Sequence, residues 1–170
     1  MELWGILPVG WLGNFTRGAT RIGLDITRGL ARRGSQRHWT AELELRTSGS
    51  ADAEGIDFLA LTREPGTSST PLALELHSFE LKRSVERIGA LELHLTARDR
   101  VGFLASLLEH LAGFVLFPEE ISIETHQGQA RDAVWLSSVG GQSPPPEIEG
   151  TLRASLRACT LPSVHVVPGM

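Results

Sequence analysis

Two strictly alternating runs constrain this chain most. Trp39-Thr40-Ala41-Glu42-Leu43-Glu44-Leu45-Arg46 and Ala90-Leu91-Glu92-Leu93-His94-Leu95-Thr96 each switch between apolar and polar residues with a period of two. Successive side chains of a strand point to opposite faces, so both runs predict half-buried strands. Strands of this kind bury one face, and antiparallel sheets roofed on one side by helices provide for that. An α+β protein with antiparallel sheets is therefore expected.

The remaining elements fit around these strands. Residues 2–8 predict a short strand closed by the turn-like Pro8-Val9-Gly10 and Gly13-Asn14. From Asn14 to Arg33, the residues Phe15, Ala19, Ile22, Ile26 and Leu30 share one narrow helical face, with Gly18 and Gly29 beside it and Gly34 as a stop. This predicts one long first helix. Loops at 47–54 and 63–71 flank a predicted strand over 56–62, and Leu72 to Lys82 reads as a further strand. After a polar boundary near 84–89, the strand at 90–96 leads into a helix from Val101 to Ala112, ended by Gly113. A hairpin turns at His126-Gln127-Gly128-Gln129, and a helix capped by Ser143 carries Ile148, Leu152 and Leu156. A short strand at Val164 to Val167 closes the chain. The order β-α-β-β-α-β is complete in the second half. The expected architecture is thus two ferredoxin-like modules in tandem, residues 1–84 and 89–168, the first lacking its second helix.

Composition narrows the function. The formal net charge of −4 provides no basic field, so nucleic acid is not an expected partner. No apolar run reaches the roughly 18 residues of a membrane-spanning helix and no leader pattern opens the chain, so a cytoplasmic protein is expected. A single cysteine, Cys159, excludes an intrachain disulfide or a cysteine metal cluster. The histidines (His38, His77, His94, His110, His126 and His165) show no metal-ligand spacing, and neither a phosphate loop nor a Gly-x-Ser-x-Gly elbow occurs. No catalytic residue, metal or cofactor is expected.

On the predicted first helix, Arg17, Arg21, Arg28 and Arg32 fall within about 60° of one another, opposite the buried stripe. A solvated helix face accounts for such a row; the sharper reading is a strip that docks an acidic partner, since arginine binds carboxylates in a fork. Asp99 is expected to cap the helix that follows it. Glu119 and Glu120 are adjacent, point to opposite faces of a strand and read as surface charge. Trp39 and Trp135 read as core or interface, and Trp4 and Trp11 as cover for a sheet edge or a contact for a partner, with core packing the favoured account of the tryptophans.

The run Leu93-His94-Leu95-Thr96-Ala97-Arg98-Asp99-Arg100-Val101-Gly102-Phe103-Leu104, with the later Gly128-Gln129-Ala130-Arg131-Asp132-Ala133-Val134-Trp135, resembles an ACT domain. The chain is most similar to members of that family with two such domains in tandem. The resemblance implies a regulatory protein working as a homo-oligomer or with a partner protein. It also implies an amino-acid effector bound where the glycine-containing turn of one domain faces the second strand of another. Carried over residue by residue, it makes Asp99, Arg100, Val101 and Gly102 the ligand loop. In the first half Gly10-Trp11-Leu12-Gly13-Asn14 stands in the place of that turn, and Phe117-Pro118-Glu119-Glu120-Ile121 stands at the start of the second half's second strand.

Overall fold

The computed structural model describes residues 1–48, 55–63 and 72–162. In chain order its elements are β1 (Glu2–Ile6), α1 (Trp11–Arg21), β2 (Leu24–Arg33), β3 (His38–Thr47), α2 (Phe58–Arg63), β4 (Ser78–Arg83), β5 (Leu91–Arg98), α3 (Phe103–Ala112), β6 (Leu116–His126), β7 (Gln129–Ser138) and α4 (Pro146–Ala158). The strands form one seven-stranded sheet in the order β1-β3-β2-β6-β7-β5-β4, and every neighbouring pair is antiparallel. The chain is therefore α+β and antiparallel, with a single continuous sheet where separate sheets were expected. The join is β2 against β6, with Arg28 opposite Glu124 and Arg32 opposite Glu120. No helix among the described residues is long and apolar enough to cross a membrane.

The covered face of the sheet carries the alternating apolar residues. Leu91, Leu93, Leu95 and Ala97 of β5 are buried, while Glu92, His94 and Thr96 between them face outward. Trp39, Ala41 and Leu43 of β3 follow the same rule, and with Ile121, Ile123, Val134 and Leu136 they join the side chains of the helices in one core. Leu107 and Leu111 of α3 and Leu152 and Leu156 of α4 are almost fully buried there. Each such leucine contributes roughly 2 kcal/mol through removal from water.

The first half departs from its expectation in four places. The long helix ends at Arg21, since Gly23 takes φ 76° and turns the chain into β2. Residues 24–33 are a strand because β3 and β6 supply hydrogen bonds on both sides. A register shift between Ile26 and Arg28 inverts the phase of β2, so Ile26 is buried and Leu30, four residues on, is exposed. The arginine strip is consequently split, with Arg17 and Arg21 on α1 and Arg28 and Arg32 on β2. Residues 58–62, expected in a strand, and Arg63, expected in a loop, form α2, started by the Asp57 carboxylate accepting a hydrogen bond from the Ala60 N–H at 3.0 Å. The first half thus has a second helix. Of the run from Leu72 to Lys82 only 78–82 is strand, within β4.

The second half follows its pattern closely. Gln127 and Gly128, both at positive φ, make the two-residue turn between β6 and β7. Two caps differ. Gly102, not Asp99, stands at the start of α3, and Pro145 with Pro146 opens α4 while Ser143 accepts a hydrogen bond from Arg83. The loop expectations at 49–54 and 64–71 and the strand expected at Val164 to Val167 lie outside the described residues.

Candidate functional site

The turn from β1 into α1 lines a cavity. Trp11 N–H bonds the Pro8 carbonyl and Asn14 N–H the Gly10 carbonyl, and Gly10 at φ 78° allows the chain to reverse there. The turn lies against the start of β6, and between them is a cleft of about 530 Å³. Its apolar wall is made by Pro8, Trp11, Trp39, Leu108, Leu116 and Phe117, its polar wall by Arg17, Arg33, Arg37, Glu119 and Ser137. A volume of this size suits a small molecule.

Trp11 is the floor and not a plug. It is 1% exposed and packs edge-on against Trp39 with ring centroids 5.3 Å apart, and against Phe15 at 6.4 Å. Its indole N–H has no hydrogen-bond partner among the described residues, and neither has the Nε–H of Arg17. Arg17 Nη2 donates to Asn14 Oδ1 at 2.7 Å. Arg33 Nη1 lies 2.7 Å from Glu119 Oε1, which also accepts from the Ser137 hydroxyl.

The neighbouring Glu120 serves another purpose. Arg32 binds both of its carboxylate oxygens at 3.0 Å and Arg87 binds one of them, across the join of β2 and β6. Burial pushes its pKa up, but the bonds and charges of Arg32 and Arg87 outweigh that and hold it below the usual carboxylate range. The reading of Glu119 and Glu120 as surface charge is thus corrected: both are ion-paired, and Glu120 is buried.

The loop Asp99, Arg100, Val101 and Gly102 occupies the corresponding turn between β5 and α3, where the surroundings differ. A Cβ on Gly102 would lie 3.2 Å from Leu72 Cδ1 and 3.3 Å from Thr20 Cγ2, whereas one on Gly10 would meet only Phe117 Cε1 at 4.0 Å. Arg100 donates to the Ala73 carbonyl and lies 3.7 Å from Glu75, so the segment before β4 is tied across this turn. Asp99 sits 3.8 Å from Arg46, which binds Asp25 of β2 at 2.8 Å. Burial and the nearby Asp25 push the Asp99 carboxyl up despite Arg46. Among the four arginines of the expected strip, Arg17 alone lines the cleft, and Arg32 is committed to Glu120.

Sequence reasoning identified both walls of the cleft without joining them. Gly10 to Asn14 and Phe117 to Glu119 were each marked as the places of turn and strand, and their meeting depends on β2 pairing with β6. Arg33 and Arg37 read from the sequence as basic neighbours of the arginine row, Leu108 as a buried position of its helix and Ser137 as the end of a strand, and none of these readings points to a cleft. Trp135, expected in core or interface, stacks edge-on with His94 at 6.1 Å on the other face of the sheet, where His94 bonds Glu92 at 2.6 Å. Compared with family models, with curated proteins and with solved structures, the chain gives no match.

Proposed function

We propose that this chain is a non-catalytic regulatory protein of the ACT type, acting in the cytoplasm and sensing a small effector in the cleft between Gly10–Asn14 and the start of β6. The reading takes residues 1–84 and 89–168 as two ferredoxin-like modules. The strand orders β1-β3-β2 and β5-β7-β6 support it, being the same order in each half. The observation that carries it is the juxtaposition of a glycine turn and a second strand around about 530 Å³ of space. A non-catalytic role is the reading we draw from the cleft's chemistry: its one carboxylate, Glu119, is ion-paired with Arg33 and accepts a hydrogen bond from Ser137. One ligand per chain is expected, because Leu72, Thr20 and Arg100 close the corresponding groove at Gly102.

A thermal-shift screen of amino acids and small organic acids tests the reading. An effector at a hundred times its Kd adds about 2.7 kcal/mol to folding, or roughly 5–10 °C in Tm for a chain of this size. Val9 is 66% exposed on the rim, so Val9→Trp fills the cleft without touching the core. The expected result is a compound that shifts the natural chain and leaves Val9→Trp unmoved. A screen with no such compound contradicts the proposal.

A second reading is favoured by a separate observation. Strand β1 is an edge of the sheet, and its Trp4 and Ile6 are 81% and 70% exposed. Unpaired edges with apolar side chains are templates for further strands. Homo-oligomerisation along β1 is the form this takes. Sedimentation of the Trp4→Glu, Ile6→Lys chain should then show a smaller species than the natural chain; identical species would remove the reading.

A further inference from the structure

We infer that the ligand of this cleft is a monocarboxylic acid with a bulky apolar body and no ammonium group, an inference that rests on the reading of the cleft as an effector site. Charged donors outnumber charged acceptors in its walls. The Trp11 indole N–H is buried with a side chain 1% exposed, and it has no partner among the described residues. The Nε–H of Arg17 likewise has no partner among the described residues, where Arg17 otherwise engages the neutral amide oxygen of Asn14. Helix α1 starts at Gly10 with no side-chain cap, and its first turn lines the cavity. The N–H groups and dipole at such a start favour an anion.

Charge decides the class. Three guanidinium groups, Arg17, Arg33 and Arg37, line the cleft against one carboxylate, Glu119, which Arg33 already holds. Among the described residues, Arg17 and Arg37 are left without a counter-charge from the walls. An ammonium group placed here would face cations with no acceptor free to receive it, and a buried charge without a partner is expensive. A zwitterionic amino acid therefore gains less than the plain acid of the same shape. Glu119 also disfavours a phosphate dianion, whose second charge would lie close to it. A carboxylate meets the guanidinium groups of Arg17 and Arg37, while Trp39, Leu108, Leu116 and Phe117 take the apolar body.

The test is a matched series on the full chain, read by calorimetry and by tryptophan fluorescence, since Trp11 and Trp39 line the site. The probes are 4-methylpentanoate, leucine, 4-methylpentan-1-amine, 4-methylpentan-1-ol and 4-methylpentyl phosphate, with phenylpropanoate and octanoate as larger acids. At least one of the acids should bind tenfold or more tightly than its matched alcohol and amine, and 4-methylpentanoate tenfold more tightly than leucine. Arg17→Gln should weaken the acid at least tenfold and leave the alcohol unchanged, and Arg37→Gln should act in the same direction if the first variant folds poorly. Leucine, the amine or the phosphate binding as well as the acid overturns the inference while leaving an effector cleft in place. Failure of every acid to bind below about 1 mM also overturns it. The effector reading itself falls separately, when the wider thermal-shift screen yields nothing that Val9→Trp abolishes.

Discussion

Individual residues show how burial and charge are balanced in this protein. Asp132 is 3% exposed on the covered face of β7, and it accepts a hydrogen bond from the Glu124 N–H at 3.4 Å. Burial pushes its carboxyl up to about 7, with the nearby Asp99 adding to the effect. The folded chain therefore keeps a proton that the unfolded chain releases above its ordinary value of 3.8. Its contribution to stability is complete below about pH 4 and is lost as pH rises through about 7. A gap of about three pH units corresponds to at most about 4 kcal/mol. Urea denaturation should show the natural chain losing more stability between pH 5 and pH 8 than Asp132→Asn does; equal losses would show that Asp132 is ionised throughout. Glu120 works in the opposite direction. Held below the usual range, it contributes above about pH 4.5 and loses that contribution as pH falls through its folded value. Glu120→Gln, measured at neutral pH, should cost about 1–3 kcal/mol, since Arg32 and Arg87 lose their charge partner.

At the scale of elements, glycine sets how closely pieces approach. A Cβ at Gly29 of β2 would lie 2.4 Å from Leu43 Cδ2 and 2.8 Å from the Glu42 carbonyl oxygen. The carbonyl belongs to the paired strand and has nowhere to go, so Gly29→Ala should destabilise by about 1–3 kcal/mol in a denaturant titration. Gly18 of α1 faces Leu61 of α2 in the same way, with 2.8 Å to Leu61 Cδ2, a flexible terminus that is able to turn aside. Its cost is partly offset by the better helix propensity of alanine, so Gly18→Ala should change stability by less than Gly29→Ala. These two contacts also show what the sequence reveals. Gly18 and Gly29 were legible as sites of close packing, but not the elements they pack against. The spacing of Ile22, Ile26 and Leu30 fits a helix of period 3.6, and a strand of period two as well, because four is even. Only the bulge after Ile26 and the pairing partners separate the two. The strands β3 and β5, with unbroken alternation, and α3, with its dense leucines, needed no such partner to be recognised.

At the scale of the molecule, the sheet is one surface from β1 to β4, and the two halves share it at β2·β6 and again at β4·β5. The strand β4 precedes the boundary read near 84–89 yet pairs with β5 beyond it. Halves joined in this way should unfold together, so fluorescence and circular dichroism should give one coincident denaturation transition; two separated transitions would show independent units. The cleft is a product of the same join, since its turn belongs to the first half and Leu116 to Glu119 belong to the second. That is why neither half of the sequence displays the site alone. Amide shift mapping by NMR, with a mixture of small organic acids and amino acids added to the full chain, tests the central claim most directly. Perturbation concentrated on Val9 to Arg17 and Leu116 to Glu119, with Arg98 to Gly102 silent, is the predicted result. Shifts centred on Arg98 to Gly102, or none at either turn, would contradict it.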